Sequence, residues 1–310
     1  MLSYRHAFHA GNHADVLKHI VLVECIARMK AKDKSILYVD THAGGGLYTL
    51  GQGYAAQNNE RESGIDKIRA ACTTECSGAG IVAAVTTSDS AAQATSCDPA
   101  EQVARRYLAA LENACPRGAS DVYPGSPLLA SSLLKAGDRL VLFELHPADH
   151  ANLRALFAGP AQVPGTPGVE VRRADGFAGL RSVLPPPSRR GLVLVDPSYE
   201  LAADYAAVVT MLRDALSRFA TGVYLVWYPL LERAEAVALP DALRFLAPRW
   251  LDARLRVRGN LPGERGMHGS GLFIINPPWQ LRQTMDGLLP WLATVLGTEG
   301  STWHIESEGE

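Results

Sequence analysis

Apolar and polar positions along the chain change period several times, and each change marks an element. Over residues 15–31 the apolar residues Val16, Ile20, Val23 and Ala27 recur at helical spacing, with Leu17 and Val21 beside them. This predicts an amphipathic helix, with capping side chains supplied by the Asn12–Asp15 region. The period then shortens. Residues 35–39 form a short apolar strand that runs into Asp40 and the turn Gly44-Gly45-Gly46. A strand ending in a glycine-rich turn is how an open α/β sheet begins a cofactor site.

The next clear strand, 139–144, lies about a hundred residues later, far beyond the dozen or so residues that a parallel crossover requires. Residues 52–120 therefore read as an insertion. Its middle, about 72–100, is rich in Ala, Ser, Thr and Gly, which predicts a flexible loop or a weakly helical lobe. Regular alternation follows: a helix at about 148–158, a strand at 168–172, and a helix near 177–183 that ends at Pro185-Pro186-Pro187. The continuous apolar run 192–195 suits a strand buried on both faces. A helix at about 203–218, a strand at 222–228 and two later strands near 252–258 and 271–276 close the sheet. Repeated β-α-β alternation predicts a doubly wound α/β sheet. The core domain would comprise 1–51 and 121–310, with 52–120 inserted.

Composition narrows the class. The chain has 310 residues and a formal net charge of −2. No apolar run approaches membrane-spanning length. The opening stretch lacks the apolar segment of a secretory signal, so a cytoplasmic location is expected. Near-neutral charge does not announce a nucleic-acid partner, but the distribution is uneven. Residues 1–34 hold six Lys and Arg against three acids, and residues 244–265 hold six arginines against two acids. Local basic zones of this kind can meet phosphates. They are also compatible with ordinary solvated surface. The tail after Trp303 is acidic. Four of the five cysteines fall between residues 72 and 115 without C-x-x-C pairing, so free thiols in a surface lobe, and no metal site, are expected.

Ligands in such sheets bind at the carboxyl ends of the strands. Four successive strands deliver carboxylates or glycines there: Asp40 with Gly44, Glu144, Asp175 with Gly176, and Asp196. The glycine turn alone fits a plain tight turn equally well. A dinucleotide fingerprint would need glycine where Thr49 stands, which disfavours a nicotinamide enzyme. Glu144 is placed to accept hydrogen bonds from ribose hydroxyls.

The sharpest signal is Asp196-Pro197-Ser198-Tyr199, which looks like the D/N-P-P-Y/F motif of amino-methyltransferases. An aryl amine is a weak nucleophile because its lone pair is delocalised into the ring. The Asp196 carboxylate and the Pro197 carbonyl would hold the amine hydrogens and favour a tetrahedral nitrogen. Tyr199 would stack on a flipped-out base, and Pro197 stiffens the turn. Asn276-Pro277-Pro278-Trp279 matches the motif more literally. It comes after the last predicted strand, away from the switch point, and a structural turn is the expectation there.

The opening nineteen residues, MLSYRHAFHAGNHADVLKH, closely resemble the J-type 23S ribosomal RNA adenine-N6 methyltransferase family. So do residues 38–46, 123–128, 144–147, 174–177, 188–192 and 276–279. The resemblance spans nearly the whole chain outside 52–120. It implies a Rossmann-like class I methyltransferase sheet carrying a small helical insertion, with 23S rRNA as substrate; a monomer and free or partly assembled RNA are expected. It implies S-adenosyl-L-methionine bound by His19, His42, Ser126, Glu144, Asp175 and Gly176, with Asp196 as catalytic acceptor and Tyr4 against the RNA; Gly44 and Asp196, at the carboxyl ends of their strands, are cofactor-binding candidates as well. One departure stands out: Ser198 occupies the place of the motif's second proline, which bears on loop rigidity. Rival acceptors for the same motif are a DNA adenine or a protein glutamine amide. A non-catalytic RNA-binding relic would lack cofactor affinity.

Overall fold

The computed structural model describes residues 9–50, 60–73, 98–116, 119, 121–158, 166–259 and 266–309. Numbered in chain order, the strands are β1 (Leu37–Asp40), β2 (Leu47–Thr49), β3 (Val122–Pro124), β4 (Arg139–Phe143), β5 (Gly168–Arg172), β6 (Gly191–Val195), β7 (Val223–Leu230), β8 (Trp250–Arg256), β9 (Gly269–Ile275) and β10 (Thr302–Glu308). The helices are α1 (His13–Lys30), α2 (Ile65–Thr73), α3 (Pro99–Ala114), α4 (Ser126–Leu133), α5 (Pro147–Leu156), α6 (Gly176–Gly179), α7 (Ala202–Arg218), α8 (Ala234–Arg244) and α9 (Leu281–Leu296).

Eight strands form one sheet in the order β10-β8-β9-β7-β6-β1-β4-β5, and β2 pairs with β3 in a small separate ladder. β1, β4, β5, β6 and β7 run parallel. β9 runs against β7 and β8, and β10 runs against β8. The chain leaves β1 towards β4 on one side and later returns to β6 on the other. The carboxyl ends of β1 and β6 therefore flank the switch point, where open α/β sheets bind ligands.

Strand alternation divides the core into two clusters. Leu192, Leu194, Leu140, Leu142 and Tyr38 face one; Val193, Val195, Val141, Phe143 and Val39 face the other. Helices α1, α3, α4 and α9 fill the first, and α7 and α8 the second. β6 is buried along its whole length, as its unbroken apolar run predicts.

Three expectations change. α1 is not a surface helix with one wet face: every residue from Ala14 to Ile26 is buried, including Asp15, Lys18, His19 and Glu24. The inserted segment supplies the cover, because α2 and α3 pack on α9 and α3 also packs on α1. Ile65, Ile68 and Tyr107 join the core, so these helices do not form a separate surface lobe. Cys72 is accordingly buried rather than surface-exposed and Cys115 is half-buried, while Cys76 and Cys97 lie outside the described residues. Finally, two late strands do not close the sheet. β10 adds an edge beyond β8 and uses the acidic tail for it, with Glu306 bonded to Arg244 and Glu308 to the Trp250 indole.

Candidate active site

The carboxyl ends of β1, β4, β5 and β6 surround a cavity of about 440 Å³, within the range of small-molecule sites. His19, His42, Gly44, Ser126, Glu144, Asp175, Gly176 and Asp196 all lie on its wall, as does Pro197. Backbone geometry explains several of these residue types. Gly44 has φ of +63°, and a Cβ there would meet the Tyr48 hydroxyl at 2.3 Å. A Cβ on Gly176 would fall 1.9 Å from the Thr41 carbonyl oxygen. The turns after β1 and β5 therefore touch, backbone against side chain-free backbone, and leave their polar edges to the cavity.

Carboxylates on this rim differ in role. Glu144 accepts from the backbone N–H of Gly44 at 2.8 Å and of His146 at 2.6 Å. Burial pushes its carboxyl above the ordinary value while those two N–H groups pull it back. Each oxygen still has acceptor capacity for a ligand hydroxyl. Asp175 caps α6 through Phe177 N–H at 2.8 Å. Asp40 is fully buried and faces inward, accepting from Tyr38 Oη at 2.9 Å and Ser126 Oγ at 2.7 Å. Burial raises its pKa to about 6 against those bonds. Ser126 thus braces β1 from the cavity wall.

Asp196 holds the most exacting position. Its Oδ2 accepts from Lys18 Nζ at 2.7 Å, and Lys18 also pairs with Asp15 at 2.8 Å. Burial would lower the Lys18 pKa, but the two carboxylates outweigh it and hold it well above its ordinary value. A buried ammonium that is fully paired fixes the carboxylate it touches. Lys18 and Asp15 were missing from the sequence-derived site. The signal for them is a lysine and an aspartate inside a helix whose remaining positions are apolar almost all round.

Beside this cavity lies a smaller one of about 210 Å³. Lys18, Asp196 and Ser198 belong to both walls. The rest of the smaller wall includes Tyr199, Trp227, Pro229, Leu231 and Met267. Tyr199 lines only this second cavity. It is nearly buried, has φ of +52°, donates from Oη to the Trp227 carbonyl at 2.8 Å, and packs against the Tyr205 ring at a centroid distance of 4.6 Å.

Asn276, the rival motif, sits at the opposite rim. Ile275 pairs with Tyr224 at the start of β7, so the residue after β9 emerges where β7 begins. Asn276 donates from Nδ2 to the carbonyls of Ala220 and Gly222, both at 2.8 Å. It ties down a turn. Tyr4 lies outside the described residues. Among those residues, no group of three or more His, Cys, Asp or Glu is placed to hold a metal ion, and no helix is long and apolar enough to cross a membrane.

The basic zones are partly neutralised. In the first, Lys18 is consumed by Asp15 and Asp196, Arg28 by Glu24 and Lys30 by Asp138. In the second, Arg254 grips the buried Asp252 at 2.6 Å and Arg244 pairs with Asp241. Their charge counts overstate what a polyanion would meet.

Residues 89–307 match the family model described as Ribosomal RNA large subunit methyltransferase D, RlmJ. The chain belongs to this family. It is 42% identical over 304 residues to the Ribosomal RNA large subunit methyltransferase J of Escherichia coli (strain K12), covering 97% of this chain and 96% of that protein. The protein of the same name from Haemophilus influenzae is 38% identical over 309 residues, covering 99% and 98%. Among solved structures, protein LPL1258 from Legionella pneumophila is 30% identical with a TM-score of 0.79, covering 97% of this chain and 99% of that one. Membership in the RlmJ family makes the chain a methyltransferase with a Rossmann-like class I fold, and the two cavities are to be read in that light.

Proposed function

We propose that the chain transfers a methyl group from S-adenosyl-L-methionine to the exocyclic N6 amine of a specific adenine in 23S ribosomal RNA, as a cytoplasmic monomer. One observation carries the reading: Asp196 stands where the larger and smaller cavities meet. The larger wall fits a nucleoside joined to an amino acid. It offers Glu144 for ribose hydroxyls, glycine turns that admit close backbone approach, and polar side chains from α1 and from Thr41 and His42 just after β1. When bound, the cofactor supplies an electrophilic methyl carbon.

The smaller cavity would take the target base, and its flat aromatic and apolar side chains suit a purine better than a glutamine amide. Asp196 would accept one amine hydrogen and the Pro197 carbonyl the other, which turns the nitrogen lone pair towards the larger cavity. Lys18 acts by holding the Asp196 carboxylate in place. Tyr199, locked by its bond to Trp227, offers a rigid ring surface to the base. That bond supplies stiffness which Ser198 cannot provide in place of proline.

The test is methyl transfer from labelled cofactor to separate pools of ribosomal RNA, DNA and protein, followed by mapping of the modified nucleotide. Label confined to N6 of one 23S adenine is the expected result. Label in DNA or on glutamine, with none in RNA, would replace the acceptor. Absence of cofactor binding would leave only the non-catalytic relic.

A further inference from the structure

Two histidines face the larger cavity, and the bonds behind them determine which ring nitrogen carries the proton. His19 Nδ1 lies 2.8 Å from Tyr123 Oη, and Tyr123 Oη lies 2.8 Å from Tyr107 Oη. All three side chains are fully buried. Tyr107 has no polar partner other than Tyr123 among the described residues. Were the chain to run outward from His19, the Tyr107 hydroxyl proton would have no acceptor. An unmatched buried donor costs about 1–3 kcal/mol. Running inward, Tyr107 donates to Tyr123 and Tyr123 donates to Nδ1, and the one proton left without a protein acceptor is on His19 Nε2, on the ring that lines the cavity and can meet a ligand there. His19 is then neutral, with its proton on Nε2.

His42 is set the other way. Its Nδ1 lies 2.9 Å from Thr41 Oγ1, which in turn lies 3.1 Å from the Leu194 carbonyl oxygen. A carbonyl only accepts. The single hydroxyl proton of Thr41 must therefore point at Leu194, and Thr41 must accept from Nδ1–H. That leaves a lone pair on His42 Nε2. Burial lowers the His42 pKa to about 4, so the ring is neutral at physiological pH.

We infer that the cavity holds its two histidines in opposite tautomers before any ligand arrives, His19 as a donor and His42 as an acceptor through Nε2, with Tyr107, Tyr123 and Thr41 as positioning residues. The wall then selects a ligand that offers an acceptor to one ring and a donor to the other. The zwitterionic amino-acid end of S-adenosylmethionine carries both kinds of group. This ligand assignment rests on the cofactor reading above. Tyr107 comes from the inserted segment, so that segment reaches the site through a hydrogen-bond chain.

The experiment is long-range proton–nitrogen NMR on the ligand-free protein labelled with ¹⁵N-histidine, with signals assigned from His19→Asn and His42→Asn. The expected spectrum shows a bare Nδ1 and protonated Nε2 for His19 and the reverse for His42. Either ring in the other tautomer, or doubly protonated at neutral pH, would overturn the inference. Thr41→Val should shift His42 to the Nε2–H form and weaken S-adenosylhomocysteine binding about tenfold, the size of one mismatched hydrogen bond. Thr41→Ser should keep both the tautomer and the affinity, which separates the hydroxyl from simple packing. If Thr41→Val folds and binds like the wild type, the acceptor role of His42 is wrong. Failure of the wild type to bind S-adenosylhomocysteine would remove the cofactor reading, while the spectra still judge the tautomers.

Discussion

Asp196 and Asn276 occupy similar tetrapeptides at opposite rims of one sheet, and their substitution should have opposite consequences. Asp196→Ala should abolish turnover, because the lost interaction is made chiefly as the amine becomes nucleophilic, and cofactor affinity should stay within a few-fold. Asn276→Ala should keep turnover within about tenfold and lower the melting temperature by freeing the Ala220–Gly222 turn. Single-turnover methyl transfer at saturating cofactor, paired with thermal melting, separates the two. A folded but inactive Asn276→Ala beside an active Asp196→Ala would move the chemistry to the other rim. At Glu144, loss of the carboxylate should weaken S-adenosylhomocysteine binding by about 1.5–3 kcal/mol in calorimetry. Unchanged affinity in a folded Glu144→Ala protein would exclude a ribose contact.

Helix α1 concentrates what the sequence did and did not disclose. Its length and cap were legible: Asn12 Oδ1 accepts from Ala14 and Asp15 N–H at 2.9 and 3.0 Å. Asn12→Ala should cost about 1 kcal/mol by chemical denaturation, since the same side chain also reaches Glu60. Its burial was not legible, because periodicity reports local faces and the cover comes from α2 and α3, which lie beyond β1 and β2 in the chain. Lys18 stayed hidden for the same reason; its partner Asp196 is 178 residues away. His13, at the first turn, is lowered from 6.5 to about 4 by burial. Its folded pKa lies below its unfolded one, so its stabilisation is complete above pH 6.5 and is lost as pH falls towards 4. The loss is on the order of 3 kcal/mol. His42 acts in the same sense and Asp40, raised to about 6, in the opposite one. Replacing His13 by Gln should flatten the fall in melting temperature between pH 6.5 and 4.5; an unaltered pH profile would show that His13 titrates normally.

Across the whole molecule, the parallel strands and the rim of acids and glycines were readable because each strand announces its own end. The late elements were not. α9 carries Pro290 inside a helix, and β10 is a polar edge strand that pairs with β8 at the end of the sheet. Electrostatics read from counts also misled, since much of the basic surplus is paired internally. With a net charge of −2, RNA affinity should fall with salt with a modest slope, corresponding to a few phosphates. A steep slope in filter binding would point to a polycationic face instead. Helices α2 and α3, though they interrupt the order of the sheet strands, close over α1: Arg106 pairs with Glu24, and Tyr107 reaches His19 through Tyr123. A gene trimmed to join residue 51 directly to 121 would therefore not yield a minimal enzyme. It would strip the roof from a helix with no wet face, and the shortened polypeptide should precipitate or be degraded in its host rather than accumulate.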